Sequence, residues 1–356
     1  MKVLLYTDVH WCASSSIVRG RGDRYSERLE NCIRSVNFAE KEATDLGCDA
    51  IACLGDFFDR NNMTDEEISA MNDIRWAPMA HTFLVGNHDS GEGDLRFSTT
   101  QCLSRNGFTV ISKPEHMTVG GTDFLFLPFI GEDRRASIGK MAESMSLRKN
   151  GHRLAVLSHN DVKGIRYGKY LSDRGYELKD ISDSCDLFIN GHLHNGAYLD
   201  EAGKILNLGN LTGLNFSEDA SVYQHLISVL DTDALSLTFI ENPFAYNFYK
   251  IDIEKADDLK SLNGLKNNAV LSVSCMEDLV PELRKRIDTE ASVAECRIIS
   301  HPDPLKMASR PETGMKTLNS IDYMGEFDDF VKEHLGDTDK VREELKEISL
   351  EAVNEH

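Results

Sequence analysis

Five short apolar runs, KVLLYT, DAIACL, HTFLV, RLAVLS and DLFIN, each break off abruptly into polar residues. Runs of this length, rich in β-branched and aromatic residues, read as buried strands. Between the first three lie helical patterns, from about Ser26 to Leu46 and from about Thr64 to Trp76. Thr64 with Glu67 forms a capping box at the start of the second. Strands alternating with helices imply a largely parallel α/β sheet. In such a sheet the carboxyl ends of the strands share the ligand-binding edge, so the residues that follow the runs are delivered to one place.

Those residues are unusual as a set. Asp8 and His10 follow the first run, Gly55-Asp56 the second, and Gly86-Asn87-His88-Asp89 the third. The later two end in Ser158-His159 and Gly191-His192-Leu193-His194. Asp8, His10, Asp56, Asn87, His159, His192 and His194 offer two carboxylates, one amide oxygen and four imidazoles. A mixed nitrogen and oxygen set favours manganese, iron or zinc over magnesium, which prefers oxygen and water. A carboxylate such as Asp56 can bridge two ions. Gly55, Gly86 and Gly191 are expected to let the backbone turn sharply beside the cluster.

Downstream the texture changes. Residues 196–240 read as strands joined by short turns, predicting a second sheet packed on the first. A domain boundary is placed near Pro243. Residues 247–300 read as strand, strand, helix from Glu277 to Ile287, and strand, a small α+β module. The stretch HPDPLKMASRPETG reads as a linker. Beyond it Met324, Phe327 and Val331, then Val341, Leu345 and Ile348, recur at helical spacing, predicting two short amphipathic helices. The expected division is 1–245, 246–300, 301–320 and 321–356.

The net charge of -20 argues against indiscriminate binding to a polyanion, because such affinity comes largely from phosphate neutralisation. Residues 301–356 alone hold fourteen Asp or Glu against seven Lys or Arg. Basic residues cluster at Arg19, Arg21 and Arg24, in the loop after the first strand, where they are candidate phosphate contacts. The eight cysteines fall in no close pairs, which suits a reducing compartment. The apolar stretch between Lys2 and Thr7 is too short for a signal-peptide core, and no membrane span occurs, so a cytoplasmic location is expected.

In order, the motifs DVH, GDFFD, GNHD, SHN and GHLH resemble the pattern of the calcineurin-like metallophosphoesterases over roughly residues 1–230. The resemblance implies a two-sheet α/β sandwich flanked by helices. It implies that Asp8, His10, Asp56 and His194 hold one metal, and Asp56, Asn87, His159 and His192 the other. His88 is then the candidate general acid. Asp59 would accept a hydrogen bond from His88 and keep it protonated, as in related phosphatases.

Within the family the chain is most similar to the SbcD-type nuclease subunit. The segment LNLGNLTGLNFSED, with Gly209, Leu214, Phe216 and Glu218 in matching places, carries that likeness, as do the module at 246–300 and the acidic tail. Trp11-Cys12 and Asn210 depart from the usual loop residues and leave every ligand in place. The resemblance implies a manganese-dependent nuclease, with magnesium or iron as alternative metals. Its action would be 3′ to 5′ on double-stranded DNA ends and endonucleolytic on single strands or hairpins. It implies a capping role for 246–300, docking of the tail helices on an SMC-like ABC ATPase of the SbcC type, and a homodimer formed through the helices at 26–46 and 64–76. The rival is a protein phosphatase or cyclic-nucleotide phosphodiesterase, since GDFFDR resembles the phosphatase pattern with Arg60 as its arginine. A DNA-binding subunit with an inactive site is disfavoured because all seven ligands are present.

Overall fold

The computed structural model describes residues 1–91, 94–167 and 170–302. Strands β1 (Lys2–Tyr6), β2 (Ala50–Cys53), β3 (Ala80–Leu84) and β4 (Thr109–Ile111) pair in parallel and in that order. A second sheet has its own parallel centre: β6 (Thr122–Leu127) pairs with β7 (Arg153–Ser158), which pairs with β12 (Leu187–Asn190), which pairs with β14 (Ile205–Asn207). Antiparallel strands β5 (Glu115–Val119) and β13 (Ala197–Tyr198) close its two edges. Two short ladders, β8 (Val162–Lys163) with β11 (Tyr176–Glu177) and β9 (Arg166–Tyr167) with β10 (Tyr170–Leu171), lie between β7 and β12 in the chain. The hairpin β15 (Leu226–Asp231) and β16 (Ser236–Glu241) then returns to the first sheet, with β15 antiparallel to β1.

This corrects the expected strand allocation in one respect. Residues 196–240 supply only part of the second sheet, β13 and β14; RLAVLS and DLFIN lie at its centre, and the later hairpin extends the first sheet. Runs buried on both faces carry no mark of which sheet they join.

Strand alternation explains the layering. Leu5, Ala52 and Leu84 of the first sheet meet Phe124, Phe126, Leu157 and Ile189 of the second in the core between them. Their neighbours point outward. Leu4, Ile51 and Phe83 pack on Leu29, Val36 and Ala43 of helix α1 (Glu27–Asp45), while Leu125, Val156 and Phe188 pack on Ile138 of α3 (Ile138–Ser144) and Ile181 of α4 (Leu178–Ser184). The two sheets thus form a sandwich flanked by helices.

Helix α1 starts where Ser26 accepts from the Leu29 amide, an ordinary N-cap. Helix α2 (Asp65–Ala70) opens on the predicted Thr64–Glu67 capping box but is shorter than expected, passing through a 3-10 turn at Met71–Asp73 into extended backbone at Ile74. The Arg75 and Ala77 amides are captured by Asn37 Oδ1 at 2.7 Å and Glu40 Oε2 at 2.9 Å. Ala77 also precedes Pro78, which disfavours helix. Trp76 turns inward, its ring centroid 5.1 Å from that of Phe108.

Residues 247–301 form a third, all-parallel sheet of β17 (Asn247–Ile253), β18 (Ala269–Met276) and β19 (Val293–His301). Its core of Ile253, Leu271, Val273 and Leu283 is covered by α5 (Val280–Asp288), which a 3-10 turn at Glu277–Leu279 precedes. Phe248, Tyr246 and Val270 join it to Val18 in the loop after β1. The linker from residue 303 and the tail residues Met324, Phe327, Val331, Val341, Leu345 and Ile348 lie outside the described residues. All eight cysteines are free of disulfides. No described helix is long and apolar enough to cross a membrane.

Leu5 has no exposed surface and sits in the core between the sheets. Leu5→Ala should cost about 2–5 kcal/mol, read as a lower urea midpoint at unchanged m-value.

Candidate metal centre

The carboxyl ends of β1, β2, β3, β7 and β12 meet where the two sheets face one another. The loops after β1 and β2 are zipped together: the Asp8, His10 and Trp11 amides donate to the carbonyls of Gly55, Asp56 and Phe57 at 3.1, 3.1 and 2.8 Å. Asp8, His10, Asp56 and His192 all adopt positive φ, at 52°, 47°, 48° and 72°. Each such non-glycine residue costs on the order of 1–3 kcal/mol and persists only where its surroundings enforce it.

The glycines beside them act mainly through space, which refines the expectation of sharp turns. A Cβ at Gly86 would lie 2.0 Å from Asp56 Oδ1, and one at Gly191 would lie 2.2 Å from Thr7 Oγ1. Only Gly55 combines a close approach, to His159, with a positive φ of 102°.

Each of the two central aspartates is held by one oxygen and leaves the other inward. Asp8 Oδ2 accepts from Thr7 Oγ1 at 2.6 Å and the His192 amide at 2.9 Å. Asp56 Oδ1 accepts from the His88 amide at 2.9 Å, while Oδ2 lies 3.1 Å from His159 Nε2 and 3.9 Å from His10 Nε2. His159 Nε2 is also 3.3 Å from Asn87 Oδ1. Asp8, His10 and His194 offer ligand atoms within 4.8 Å of one another, as do Asp56, His159 and His192, and His10, Asp56 and His88. Asp8 Oδ1, His10 Nε2 and His192 Nδ1 are buried without any hydrogen-bond partner. Buried polar atoms are seldom left so, and these are the atoms a cation would take.

The outer nitrogens of His10, His159 and His192 are backed by oxygen acceptors, and a carboxylate lies near that of His194. His10 Nδ1 lies 3.1 Å from Asp59 Oδ1, His159 Nδ1 2.6 Å from the Leu54 carbonyl, His192 Nε2 3.2 Å from Asp161 Oδ1, and His194 Nδ1 3.5 Å from Glu218 Oε1. These contacts select the tautomer whose lone pair faces inward. The Asp59 carboxylate is thus not on His88, as expected, but on His10. His88 Nδ1 instead meets the Asp59 backbone carbonyl at 3.0 Å. Asp161 and the Leu54 carbonyl carry no motif signature, and Glu218 stood out only through the segment around it. Asp89 secures the loops by accepting from the Gly86 and Phe58 amides at 2.8 and 2.9 Å.

Charge is concentrated here. Burial disfavours protonated His10, yet the hydrogen bond to Asp59 and the nearby charge of Asp8 and Asp56 carry its pKa up to about 10. Burial is likewise outweighed at His159, where Asp56 brings it to about 9. Burial would raise Asp56, but His159 and His10 hold it below the usual carboxylate range. Burial and the neighbouring Asp56 push Asp89 up to about 6.

The arginines of the β1 loop are largely committed elsewhere. Arg21 Nη1 pairs with Glu66 at 2.8 Å, Arg24 with Asp73 at 2.8 Å, and Arg19 Nε donates to the Ser16 carbonyl at 3.0 Å. Arg60 is held by both oxygens of buried Glu67, at 2.7 and 2.9 Å.

Two outcomes follow. Ligation requires neutral imidazole, so loading a divalent ion should release protons from His10 and His159, and affinity should rise with pH up to about 10. Calorimetry in buffers of different ionisation heat checks this; buffer-independent heats would contradict it. Gly86→Ala should displace Asp56 and lower the metal content measured by elemental analysis, with far-UV circular dichroism nearly unchanged.

The calcineurin-like phosphoesterase family profile matches residues 1–196. No curated protein matches the chain. Among solved structures, a novel archaeal phosphodiesterase is similar at 16% identity, covering 68% of this chain and 99% of that one, with a TM-score of 0.35. A dimetal phosphatase from Danio rerio is similar at 13% identity, with coverages of 68% and 99% and a TM-score of 0.42. A calcineurin-like phosphoesterase from Bacillus subtilis is similar at 12% identity, with coverages of 68% and 88% and a TM-score of 0.37. The matched profile spans more than half of the chain, from the first strand through His192 and His194, and the chain belongs to the calcineurin-like phosphoesterases, as a hydrolase of the metallophosphoesterase type.

Proposed function

We propose that this hydrolase is a DNA nuclease of the SbcD type, cutting duplex ends 3′ to 5′ and single strands or hairpins internally, with manganese as its metal. The observation that carries phosphodiester hydrolysis is the pair of adjoining ligand clusters, one holding the partnerless Asp8 Oδ1 and His10 Nε2 and the other His192, whose Nδ1 is also partnerless. In this reading Asp8, His10, Asp56 and His194 hold one ion, and Asp56, Asn87, His159 and His192 hold the second. When bound, such a pair neutralises charge on the phosphoryl oxygens and activates water.

The chain's own contribution is positioning and proton transfer. Asp56 serves both ion sites and is pinned by the His88 amide, so the two sites and the acid share one anchor. Because the Asp59 carbonyl can only accept, His88 carries its Nδ1 proton there, leaving Nε2 as the nitrogen that exchanges a proton with the leaving oxygen. His88 is exposed while His10 and Asp56 beside it are buried, as suits a group that meets substrate.

DNA as substrate is supported by the segment after His194. The Asn210 amide donates to the His194 carbonyl at 3.0 Å, Glu218 backs His194, and the Ala220 amide donates to the Phe248 carbonyl of the third sheet at 2.9 Å. The Phe216 and Phe248 rings lie 5.1 Å apart. One short stretch therefore connects a candidate ligand to the module proposed to cap DNA. Arg60, the residue that likens GDFFDR to the phosphatase pattern, is paired with buried Glu67, which favours the nuclease reading over a protein phosphatase. The same reading pairs the tail with an SMC-like ABC ATPase and α1 and α2 with a second copy; deletion of residues 321–356 should abolish the first association and spare small-diester hydrolysis.

With manganese, the purified chain should cut end-labelled duplex and single-stranded DNA in preference to a phosphopeptide or cyclic nucleotide. His88→Ala should lower turnover by about 10²–10⁴-fold at unchanged metal content. Cleavage of small phosphoesters alone, or full DNA cleavage by the variant, would overturn the proposal.

A further inference from the structure

Three sizeable cavities differ in charge. In one beside Lys266 and Glu241, and in another between α1 and residues 75–78, acidic and basic side chains balance. The third, of about 450 Å³, is lined by Arg96, Lys113, Arg134 and Asp94; Asp94 pairs with Arg96 and Asp133 lies 3.9 Å from Arg134. Its size is that of an ordinary small-ligand site. That leaves Lys113 as a lining cation without an ion pair among the described residues, in a chain of net charge -20.

The cavity lies along the same edge as the metal centre. Arg96 belongs to the loop that follows His88, Lys113 follows β4, and Phe129 follows β6, all strands of the two parallel centres. Phe129 is the shared wall: it lines the cavity, and its ring centroid lies 5.7 Å from that of His192. Met141 and Met145 line the cavity as well. An aromatic and thioether lining suits the face of a planar base. On the rim, Arg96 is aligned by Asp94 at 3.0 and 2.7 Å and lies over the Phe97 ring, a side chain 79% exposed. Lys113 is exposed and has no ion pair among the described residues.

We propose that this cleft receives one unpaired nucleotide of the DNA strand beside the scissile phosphodiester, its base against Phe129, Met141 and Met145 and its phosphate on Lys113. The inference rests on the nuclease reading and deepens it. A base stacked and paired within a duplex cannot present its face to such a lining, so the strand must arrive single or frayed. Basic grooves with stacking platforms bind single strands with little sequence preference.

The test uses the full-length chain with manganese, a single-stranded oligonucleotide and bis(p-nitrophenyl) phosphate as the small diester. Lys113→Glu should raise KM for the oligonucleotide about tenfold with kcat little changed, and should lower the salt dependence by about 0.7, the share of one single-strand phosphate. Ala136→Trp, which narrows the cleft from its exposed rim without altering charge, should raise the same KM. Both should hydrolyse the small diester like the wild type. If the wild type cuts DNA and both variants match it in KM and salt dependence, the cleft assignment is wrong and the nuclease reading stands. If the wild type hydrolyses only the small diester, both fall.

Discussion

The Asp56 carboxylate occupies the point where the two sheets come together, and much of the centre is arranged around it. One oxygen binds the amide of His88 and the other faces His159 and His10, so groups following β1, β3 and β7 all refer to a side chain that follows β2. That arrangement needs a backbone able to pass within van der Waals reach, which Gly86 provides. It also needs Asp56 in a left-handed conformation, which the zipped loops enforce. The sandwich supplies the rigidity: residues of both sheets interlock in a common core, and the strand ends cannot shift independently.

The amino-acid sequence made the strand ends, the histidine and carboxylate set and the capping of α1 and α2 plainly legible, because each depends on local pattern. Sheet membership was not. RLAVLS pairs with TDFLFL and not with KVLLYT, a matter of three-dimensional partner choice among runs that look alike. Periodicity alone extends the second helix to Trp76, whereas Asn37 and Glu40 capture the Arg75 and Ala77 amides on either side of it and the aromatic cluster draws the ring inward. Asp59 was read through its place near GD and expected on His88; its side chain instead spans to His10, and only its carbonyl reaches His88. Asp161 could not be found from sequence, since a single aspartate two residues after a histidine occurs without meaning in most chains.

The backing groups give the centre an internal logic. Three histidines lean on carboxylates, and His159 leans on a carbonyl. A carboxylate behind an imidazole makes it a stronger donor and adds negative charge to the shell. Asp8, Asp56, Asp59, Asp161 and Glu218 together concentrate acid where only cations can relieve it, and all five are held in their ionised form. A phosphodiester would be repelled by that shell unless divalent ions stood between them. The same groups therefore recruit the metals and make the proposed chemistry depend on them.

Net charge bears on this as well. At physiological ionic strength fields fade over roughly 8 Å, so an overall charge of -20 does not decide whether an anionic strand can be held at one edge. What decides is the sign of the side chains within that distance. Arg21 and Arg24, the most conspicuous cations in the sequence near the first motif, are neutralised by Glu66 and Asp73, whereas Lys113, in no motif, stands unpaired among the described residues beside the shared wall of Phe129. Attraction between an acidic protein and a polyanion is thereby confined to short range, which favours a strand already threaded along the catalytic edge over DNA approaching from any other side.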